Sequence, residues 1–455
     1  MKKTFLKAGA LALISLATLT GCGGGGDPGV TTVKFSVRNY AVELEGWKKT
    51  VSKANELLEA DNQKVRIEIE TIQVGSSWDD FYNKVRTNIL TNKGGTIGRI
   101  AESHMPKMRT GKLIGEVTEL ANELKATGEY NNSAFEGVAK EGDKYYGLPS
   151  GLQHMVLYYN KDKFDAYNQG KPAANQLAYP SANWEDASVF QEIRTSALKL
   201  TSGEGLSKQF GFSAGPFLAY AGMYSKNSGG YNIFDDEGKC KIYSQSFLDV
   251  YNWLGDMIYT DKSSPNISDS LDEGGLDKFC TGNVAMYVGG VYDLHDIVTK
   301  TKNKFTVGVG AIPVGLNADG EKYSSYTSNF TDCYWASDKS RHKEEDRIAL
   351  RYLMKSEVIK ESAKYHVGGV PIKNDCVDNY FNELKLAGLS QAAVDCIRAG
   401  AAKKINVPYT AYYNEVDLAI NAKVGLWMNH EDPDWYTDKF VKFAHDTMVA
   451  AMPEE

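Results

Sequence analysis

The sequence predicts a large α/β protein with two lobes, built from mixed, mostly parallel sheets that are flanked by helices. Short segments with alternating apolar residues, such as 32–37 and 64–72, are separated by segments with helical spacing, such as 43–60 and 79–90. Strands separated by helices of this length form βαβ units. With 455 residues, the chain is also long enough for more than one hydrophobic core.

The remaining elements follow the same alternation. Ser76 and Ser77 stand where they can cap the helix over 79–90. The segment 235–238 carries too few oxygen-bearing side chains at alternate positions for a calcium-binding loop. Its sequence is typical of a turn between two strands. Later strands are predicted at 210–212 and 305–309, and helices at 186–200, 246–258, 343–356, 357–366, 412–427 and 438–451.

The N-terminus has the pattern of an export signal. Lysines at 2, 3 and 7 precede an uncharged apolar run over 8–18, which is too short for a permanent membrane span. The run ends at Leu19-Thr20-Gly21-Cys22, which resembles the lipobox of bacterial lipoproteins. That resemblance implies a signal peptide over 1–21, lipidation of Cys22 and an extracytoplasmic protein anchored to the membrane by lipid. Residues 22–31 then serve as a glycine-rich tether. A plain cleavable signal with a chance cysteine is the alternative.

Composition excludes several classes of protein. The chain carries 58 acidic and 51 basic residues and no long basic run, which argues against nucleic-acid binding. No segment after the signal approaches the length and apolarity of a membrane span. The cysteines after Cys22 lack CxxC spacing, so neither a metal nor a redox centre is expected, and their odd number leaves at least one thiol unpaired within the chain: Cys240, Cys280, Cys333, Cys376 and Cys396.

Three groups of motifs, in this order along the chain, carry a family resemblance. The first group is 145–149 (YYGLP) and 157–164 (LYYNKDKF); the second is 282–286 (GNVAM), 289–292 (GGVY), 307–309 (VGV) and 311–313 (AIP); the third is 336–339 (ASDK), 349–356 (ALRYLMKS) and 368–371 (GGVP). Behind a lipobox, they resemble the family 1 extracellular solute-binding proteins of ABC importers, the group that contains the maltose-binding protein. The similarity extends over about 32–450.

The resemblance implies a two-lobed, type II periplasmic-binding-protein-like fold. The chain is then expected to cross between lobes near 149–156, 326–331 and 369, so that lobe one comprises 30–151 plus 330–368 and lobe two 152–329 plus 369–455. It also implies a monomeric receptor that captures a carbohydrate in the cleft between lobes and delivers it to an ABC permease with a cytoplasmic ATPase, without any cofactor. A hinge that closes over a ligand is a standard transition for such a fold.

Carried over position by position, the resemblance also places ligand-binding candidates. The polar positions of family members are replaced at Ser103 and His104, which makes maltose itself a doubtful ligand. A stacking aromatic is expected near Tyr409, although Asn414 occupies the strictly corresponding position. The candidates are Asn39, Tyr40, Trp78, Glu102, Ser103, His104, Gln153, His154, Phe217, Tyr220, Gly290, Tyr292, Tyr412 and Tyr413. Aromatic faces match the CH patches of a sugar, and planar polar groups match its hydroxyls.

Three other functional classes stay open. A surface glycan-binding lipoprotein that serves no importer would show similar aromatic and polar residues. Gly211 to Gly215 fits the G-x-S-x-G pattern of a hydrolase with Ser213 as nucleophile, but Pro216 interrupts the helix that should follow. A glycosidase would need two opposed carboxylates, and no recognisable pair stands out. We therefore expect a binding protein without catalytic residues or bound metal.

Overall fold

The computed structural model describes residues 29–453, except 75–76, 138, 214, 267 and 271–273. The predicted signal peptide, Cys22 and the tether up to residue 28 lie outside the described residues, as does Ser76. The last residue assigned to the tether, Thr31, is already the first residue of a strand.

The strands are β1 Thr31–Arg38, β2 Val65–Ile72, β3 Ile97–Ala101, β4 Lys140–Glu141, β5 Lys144–Tyr145, β6 Leu148–Pro149, β7 Met155–Asn160, β8 Met286–Gly290, β9 Val307–Gly310, β10 Thr327–Asn329, β11 Asp332–Ala336 and β12 Lys404–Asn406. The α-helices are α1 Ala41–Ala60, α2 Trp78–Leu90, α3 Met105–Thr110, α4 Thr118–Ala126, α5 Lys161–Asn168, α6 Phe190–Leu200, α7 Leu218–Lys226, α8 Gln245–Gly255, α9 Gly275–Thr281, α10 Leu294–Lys300, α11 Lys343–Leu353, α12 Ser356–Ala363, α13 Asn374–Leu386, α14 Gln391–Gly400, α15 Tyr413–Asn429 and α16 Thr437–Ala451.

The larger sheet has five strands in the order β2-β1-β3-β11-β6. The predicted β1-α1-β2-α2 alternation is confirmed, and β1 pairs in parallel with both β2 and β3. Ser77 caps α2 as expected, because its side chain accepts from the Asp80 amide at 3.1 Å. Alternate residues of β1 turn Val33 and Phe35 into the core, where the Phe35 ring lies 5.8 Å from Trp47 of α1.

The smaller sheet differs from the expected parallel pairing. Its order is β8-β7-β9, and β7 is antiparallel to both neighbours. In the larger sheet β11 is antiparallel to β3, since the chain enters this strand on its return from the smaller sheet. The α/β class is therefore confirmed, but the sheets are mixed without a parallel majority.

Three chain segments lie side by side between the larger and the smaller sheet. Leu152 and Val370 exchange two backbone hydrogen bonds of 2.8 Å, and the Phe330 amide donates to the Gln153 carbonyl at 3.1 Å. The Gln153 amide donates to the Asn329 side chain at 3.2 Å. Rotation of one sheet relative to the other would therefore bend all three segments at one place.

Two predicted elements begin or form differently. Helix α6 begins at Phe190 rather than at 186, because the Asn183 side chain caps a separate 3-10 turn over Trp184–Asp186. The predicted strand over 210–212 is reduced to isolated bridges at Phe210 and Ser213.

All five cysteines of the described chain are free thiols, and four of them are buried. None of the helices described here combines the length and apolarity needed to cross a bilayer.

Candidate functional site

A cavity of about 390 Å3 lies where the C-terminal ends of β1 and β3 face the turn that follows β8. We call it the charged chamber. Because β1 and β3 are parallel neighbours, their carboxyl ends meet at one edge of the sheet, the usual place for a ligand in an open α/β sheet. Its lining residues are Arg38, Tyr40, Glu43, Trp78, Arg99, Ala101, Glu102, Ser103, Gln153, Leu276, Tyr292, Asp293, His295, Asp296, Phe330, Asp332, His366, Val367, Gly368, Gly369 and Tyr409.

A buried ion network forms one wall of the charged chamber. Glu43 binds Arg38 Nη2 at 2.7 Å and Arg99 Nη1 at 3.0 Å through different carboxylate oxygens. Arg99 also pairs with Asp332, and Gln153 Nε2 donates to the same Asp332 oxygen at 3.0 Å. The two arginines and two carboxylates thus compensate one another.

The protonation of this network follows from burial and pairing. Burial alone would raise the pKa of Glu43, but Arg99 and Arg38 outweigh it and hold that pKa below its ordinary value. Burial raises the pKa of Asp332, although Arg99 opposes the shift. Removing one member of such a network leaves a buried charge without compensation, which costs about 3–5 kcal/mol.

The opposite wall carries Asp293 and Asp296, which follow β8. Asp293 Oδ2 accepts from the Tyr287 hydroxyl at 3.0 Å and from the Gly290 amide at 3.2 Å. Burial raises the pKa of Asp293 to about 7, against the lowering effect of these two hydrogen bonds. The His366 ring lies 6.4 Å from the His295 ring, and burial lowers the pKa of His366 to about 4.

A second cavity of about 260 Å3 adjoins the first, and we call it the aromatic chamber. Five residues line both: Trp78, Ser103, Tyr292, Phe330 and Tyr409. The other lining residues of the aromatic chamber are Asp79, His104, Phe217, Ala219, Tyr220, Tyr413, Asn414, Asp417 and Leu418. The two chambers therefore form one continuous site.

Aromatic rings in this region contact one another edge to face. The Tyr292 and Phe330 ring centroids lie 6.2 Å apart, and the Tyr220 and Tyr292 hydroxyls are 3.2 Å apart. Phe217, 5.6 Å from Tyr220, is 45% exposed, and Tyr292 is 39% exposed. Large rings that are this exposed at a cavity are available for stacking instead of being used in a core.

Polar groups without partners lie beside these rings. Asn414 is 8% exposed and Tyr413 is 3% exposed, yet Asn414 Nδ2 and the Tyr413 hydroxyl make no hydrogen bond within the described part of the chain. Burial raises the pKa of the neighbouring Asp417 to about 6. Buried donors of this kind are costly unless something else satisfies them.

His104 belongs to a chain of hydrogen bonds at the rim of the aromatic chamber. Its Nε2 lies 3.0 Å from Asp79 Oδ1, and its Nδ1 lies 3.1 Å from the Ser103 hydroxyl. The Tyr82 ring lies 5.2 Å from the imidazole. Both imidazole nitrogens are therefore used in hydrogen bonds, and the residues that the structure describes contain no cluster of potential metal ligands.

The structure brings ten of the predicted residues to the two chambers and leaves four outside. Those that line a chamber are Tyr40, Trp78, Glu102, Ser103, His104, Gln153, Phe217, Tyr220, Tyr292 and Tyr413. Asn39 instead donates to Gln73 at the surface, and Tyr412 precedes the first turn of α15. Gly290 contributes space, because a Cβ there would overlap the Tyr292 ring.

His154 is the fourth residue outside the chambers. It is completely buried, next to Gly400, and burial lowers its pKa to about 4. Successive side chains in extended backbone point to opposite sides, so Gln153 lines the charged chamber and His154 enters the core.

Sequence reasoning missed six charged residues that line the charged chamber: Arg38, Glu43, Arg99, Asp293, Asp296 and Asp332. One available signal was a charged residue within a largely buried strand, as at Arg38, the last residue of β1, and Arg99, in the middle of β3. Ser213, the residue of the hydrolase alternative, lines neither chamber. Within the described ranges its hydroxyl makes no hydrogen bond to a histidine.

The sequence is similar to those of known bacterial binding proteins. A sequence profile described as "Bacterial extracellular solute-binding protein" matches residues 40–357. A binding protein of Brucella abortus (strain 2308) is 23% identical over 444 residues, which cover 94% of this chain and 95% of that protein.

Solved structures share the fold at low sequence identity. An ABC substrate-binding protein of Listeria monocytogenes in complex with cycloalternan has a TM-score of 0.76 and 17% identity, covering 92% of this chain and 98% of that one. Maltose-bound MalE3 of T. maritima has a TM-score of 0.72 and 16% identity, with 92% and 100% coverage. The GacH receptor of Streptomyces glaucescens, solved unliganded and with acarbose, has a TM-score of 0.73 and 14% identity, with 92% and 98% coverage.

Proposed function

Since this chain belongs to the family of bacterial extracellular solute-binding proteins, we propose that it captures a mono- or oligosaccharide between its two lobes. The observation that carries the proposal is the combination found in the aromatic chamber. Exposed rings at Phe217 and Tyr292 stand beside Asn414 Nδ2, a donor without a partner among the described residues. A sugar ring has apolar CH faces for the first and hydroxyl acceptors for the second.

The continuity of the two chambers suits a ligand longer than one sugar ring. One ring would occupy the aromatic chamber, and its neighbour would extend past Trp78 and Tyr292 into the charged chamber. The structures named above that were solved with cycloalternan, maltose and acarbose agree with a saccharide ligand.

We propose that the lobes are divided as the sequence predicts, with 30–151 plus 330–368 in lobe one and 152–329 plus 369–455 in lobe two. The side-by-side connections at Leu152, Phe330 and Val370 support this division, because they provide one common hinge. A ligand that contacts Trp78 of one lobe and Tyr292 of the other favours closure, since those contacts exist together only in the closed form.

The proposal extends to anchoring and delivery. A protein lipidated at Cys22 would be held on the extracytoplasmic face of the membrane as a monomer and would present its closed form to an ABC permease. The lipobox-like sequence over 19–22 and the family membership support this role. A glycan-binding lipoprotein that serves no importer would have the same anchor but would bind sugar without stimulating transport.

Thermal-shift measurement on the purified protein tests the proposal. Bound ligand stabilises the folded state by RT ln(1 + [L]/Kd), about 2.7 kcal/mol at a hundredfold excess over Kd. We expect at least one member of a panel of mono- and oligosaccharides to raise the melting temperature, and polyamines and free polyols to leave it unchanged. Failure of every saccharide, together with turnover of an ester that Ser213→Ala abolishes, would establish the hydrolase instead.

A further inference from the structure

Asp293 is a buried carboxyl group with one oxygen in use and one without a partner. Its side chain is 9% exposed and lines the charged chamber. Oδ2 accepts two hydrogen bonds, from the Tyr287 hydroxyl and the Gly290 amide. Oδ1 accepts none from the described residues. The two hydrogen bonds to Oδ2 close the turn after β8. They assign no role to Oδ1.

The charge around Asp293 is negative on balance. Asp296, one turn further along, lines the same chamber, and its Oδ2 binds Lys300 at 3.2 Å. Lys300 is shared with Asp277 at 2.9 Å, and among the described ion pairs no basic side chain is bonded to Asp293. The two chamber arginines, Arg38 and Arg99, are paired with Glu43 and Asp332.

From this geometry, and resting on the proposed function, we propose that the charged chamber selects a saccharide that carries a positively charged amino group. The ammonium group would be bound by Asp293 Oδ1, with Asp296 beside it. A largely buried carboxylate is stabilised by pairing with a cation, and a ligand ammonium group supplies the charged partner that no basic side chain among the described residues provides. A sugar phosphate or uronic acid would instead meet like charge and be rejected.

Other groups that face Asp293 do not supply this cation. Tyr287 and Tyr158 approach from β8 and β7, and burial raises the pKa of both well above the ordinary value, so both stay neutral. His295 and Asp296 follow on the same stretch of chain, and the His366 ring lies 6.4 Å from that of His295. Burial holds His366 neutral near pH 7, because it lowers the pKa to about 4.

The test compares three disaccharides that share one linkage and differ at one substituent. These are the β-1,4 dimer of glucosamine, the β-1,4 dimer of N-acetylglucosamine and cellobiose, titrated calorimetrically into the purified protein. Near pH 7 we expect the glucosamine dimer to bind about tenfold or more tightly than either neutral dimer. Its affinity should fall as the pH is lowered toward 5, because Asp293 then becomes protonated.

Two isosteric variants assign the effect to one side chain. Asp293→Asn should reduce the ratio of neutral-dimer Kd to glucosamine-dimer Kd about tenfold. Asp277→Asn is the matched control, because it removes the other carboxylate of Lys300 but lies outside both chambers, so the ratio should not change. If Asp293→Asn does not fold, the pH dependence of the unmodified protein still tests the proposal.

Failure of this inference differs from failure of the proposed function. Equal affinity for the three dimers, or tighter binding of the neutral ones, would overturn amine selection while leaving a saccharide receptor. If Asp293→Asn weakened the affinity for all three dimers equally, Asp293 would have a purely structural role. Absence of binding by every saccharide would overturn both.

Discussion

The Arg38 guanidinium carbon lies 3.7 Å from the centroid of the Trp78 ring. Glu43 holds the same guanidinium at 2.7 Å, so the cation is fixed from one side and covers the indole from the other. A cation over a tryptophan face contributes about 0.5–2 kcal/mol, depending on its desolvation. The ion network of the charged chamber thereby orients a ring that lines both chambers.

Trp78→Ala is therefore expected to weaken saccharide binding about tenfold or more, because the ring shared by both chambers is lost. Trp78→Phe should recover part of the affinity through its remaining aromatic face. Isothermal titration with the saccharide found in the thermal-shift panel measures both. Unchanged affinity in Trp78→Ala would exclude this ring from the binding site.

Tyr292→Ala is expected to weaken binding at least tenfold without unfolding the protein, since the ring is 39% exposed. Tyr292→Phe keeps the stacking face and loses the 3.2 Å contact with the Tyr220 hydroxyl, so its affinity should fall about threefold at most. Tyr231→Ala is the control, because Tyr231 is similarly exposed, at 43%, and lies outside both chambers. Equal affinity of all three variants would contradict the prediction.

Glu43→Gln should destabilise the folded state by about 3–5 kcal/mol near neutral pH, because Arg38 and Arg99 lose their shared carboxylate. The folded-state pKa of Glu43 is lowered, so its stabilising effect is present above the unfolded pKa, about 4.3, and is lost as the pH falls through the folded value. Urea unfolding of the unmodified protein and of Glu43→Gln should therefore show a difference in the free energy of unfolding that shrinks below about pH 4. A difference in the free energy of unfolding that does not change with pH would indicate a packing defect instead.

Gly368 and Gly369 offer a matched pair at the third connection between sheets. Both have positive φ, +89° and +78°, so alanine is strained at either position. At Gly369 the new Cβ would also come within 2.6 Å of Gln153 Cγ and the Leu152 carbonyl, whereas at Gly368 nothing lies closer than 3.8 Å. Gly368→Ala should cost about 1–2 kcal/mol and Gly369→Ala more. Equal melting temperatures for the two variants would show that the hinge relaxes freely.

Local patterns were enough for the elements that begin the chain. Alternation in β1, helical spacing in α1 and the cap at Ser77 depend on neighbours within a few residues, and all appear as expected. The pairing direction of β7 was not accessible in this way, because it depends on the return path through β8 and β9. Strand periodicity would also have placed Gln153 and His154 on opposite sides of the chain, yet both were counted among the ligand-binding candidates.

By itself the amino-acid sequence determined the α/β class, the family and most of the aromatic residues that line the site, because these follow from local spacing and from motifs in a fixed order. Only the tertiary structure decided how the charged residues of the charged chamber pair with one another. Arg99 meets Asp332 across 233 residues of chain, and Asp293 has one carboxylate oxygen without a partner in the described chain. Charge is visible in a sequence, but compensation of charge depends on which side chains folding brings within a few ångströms.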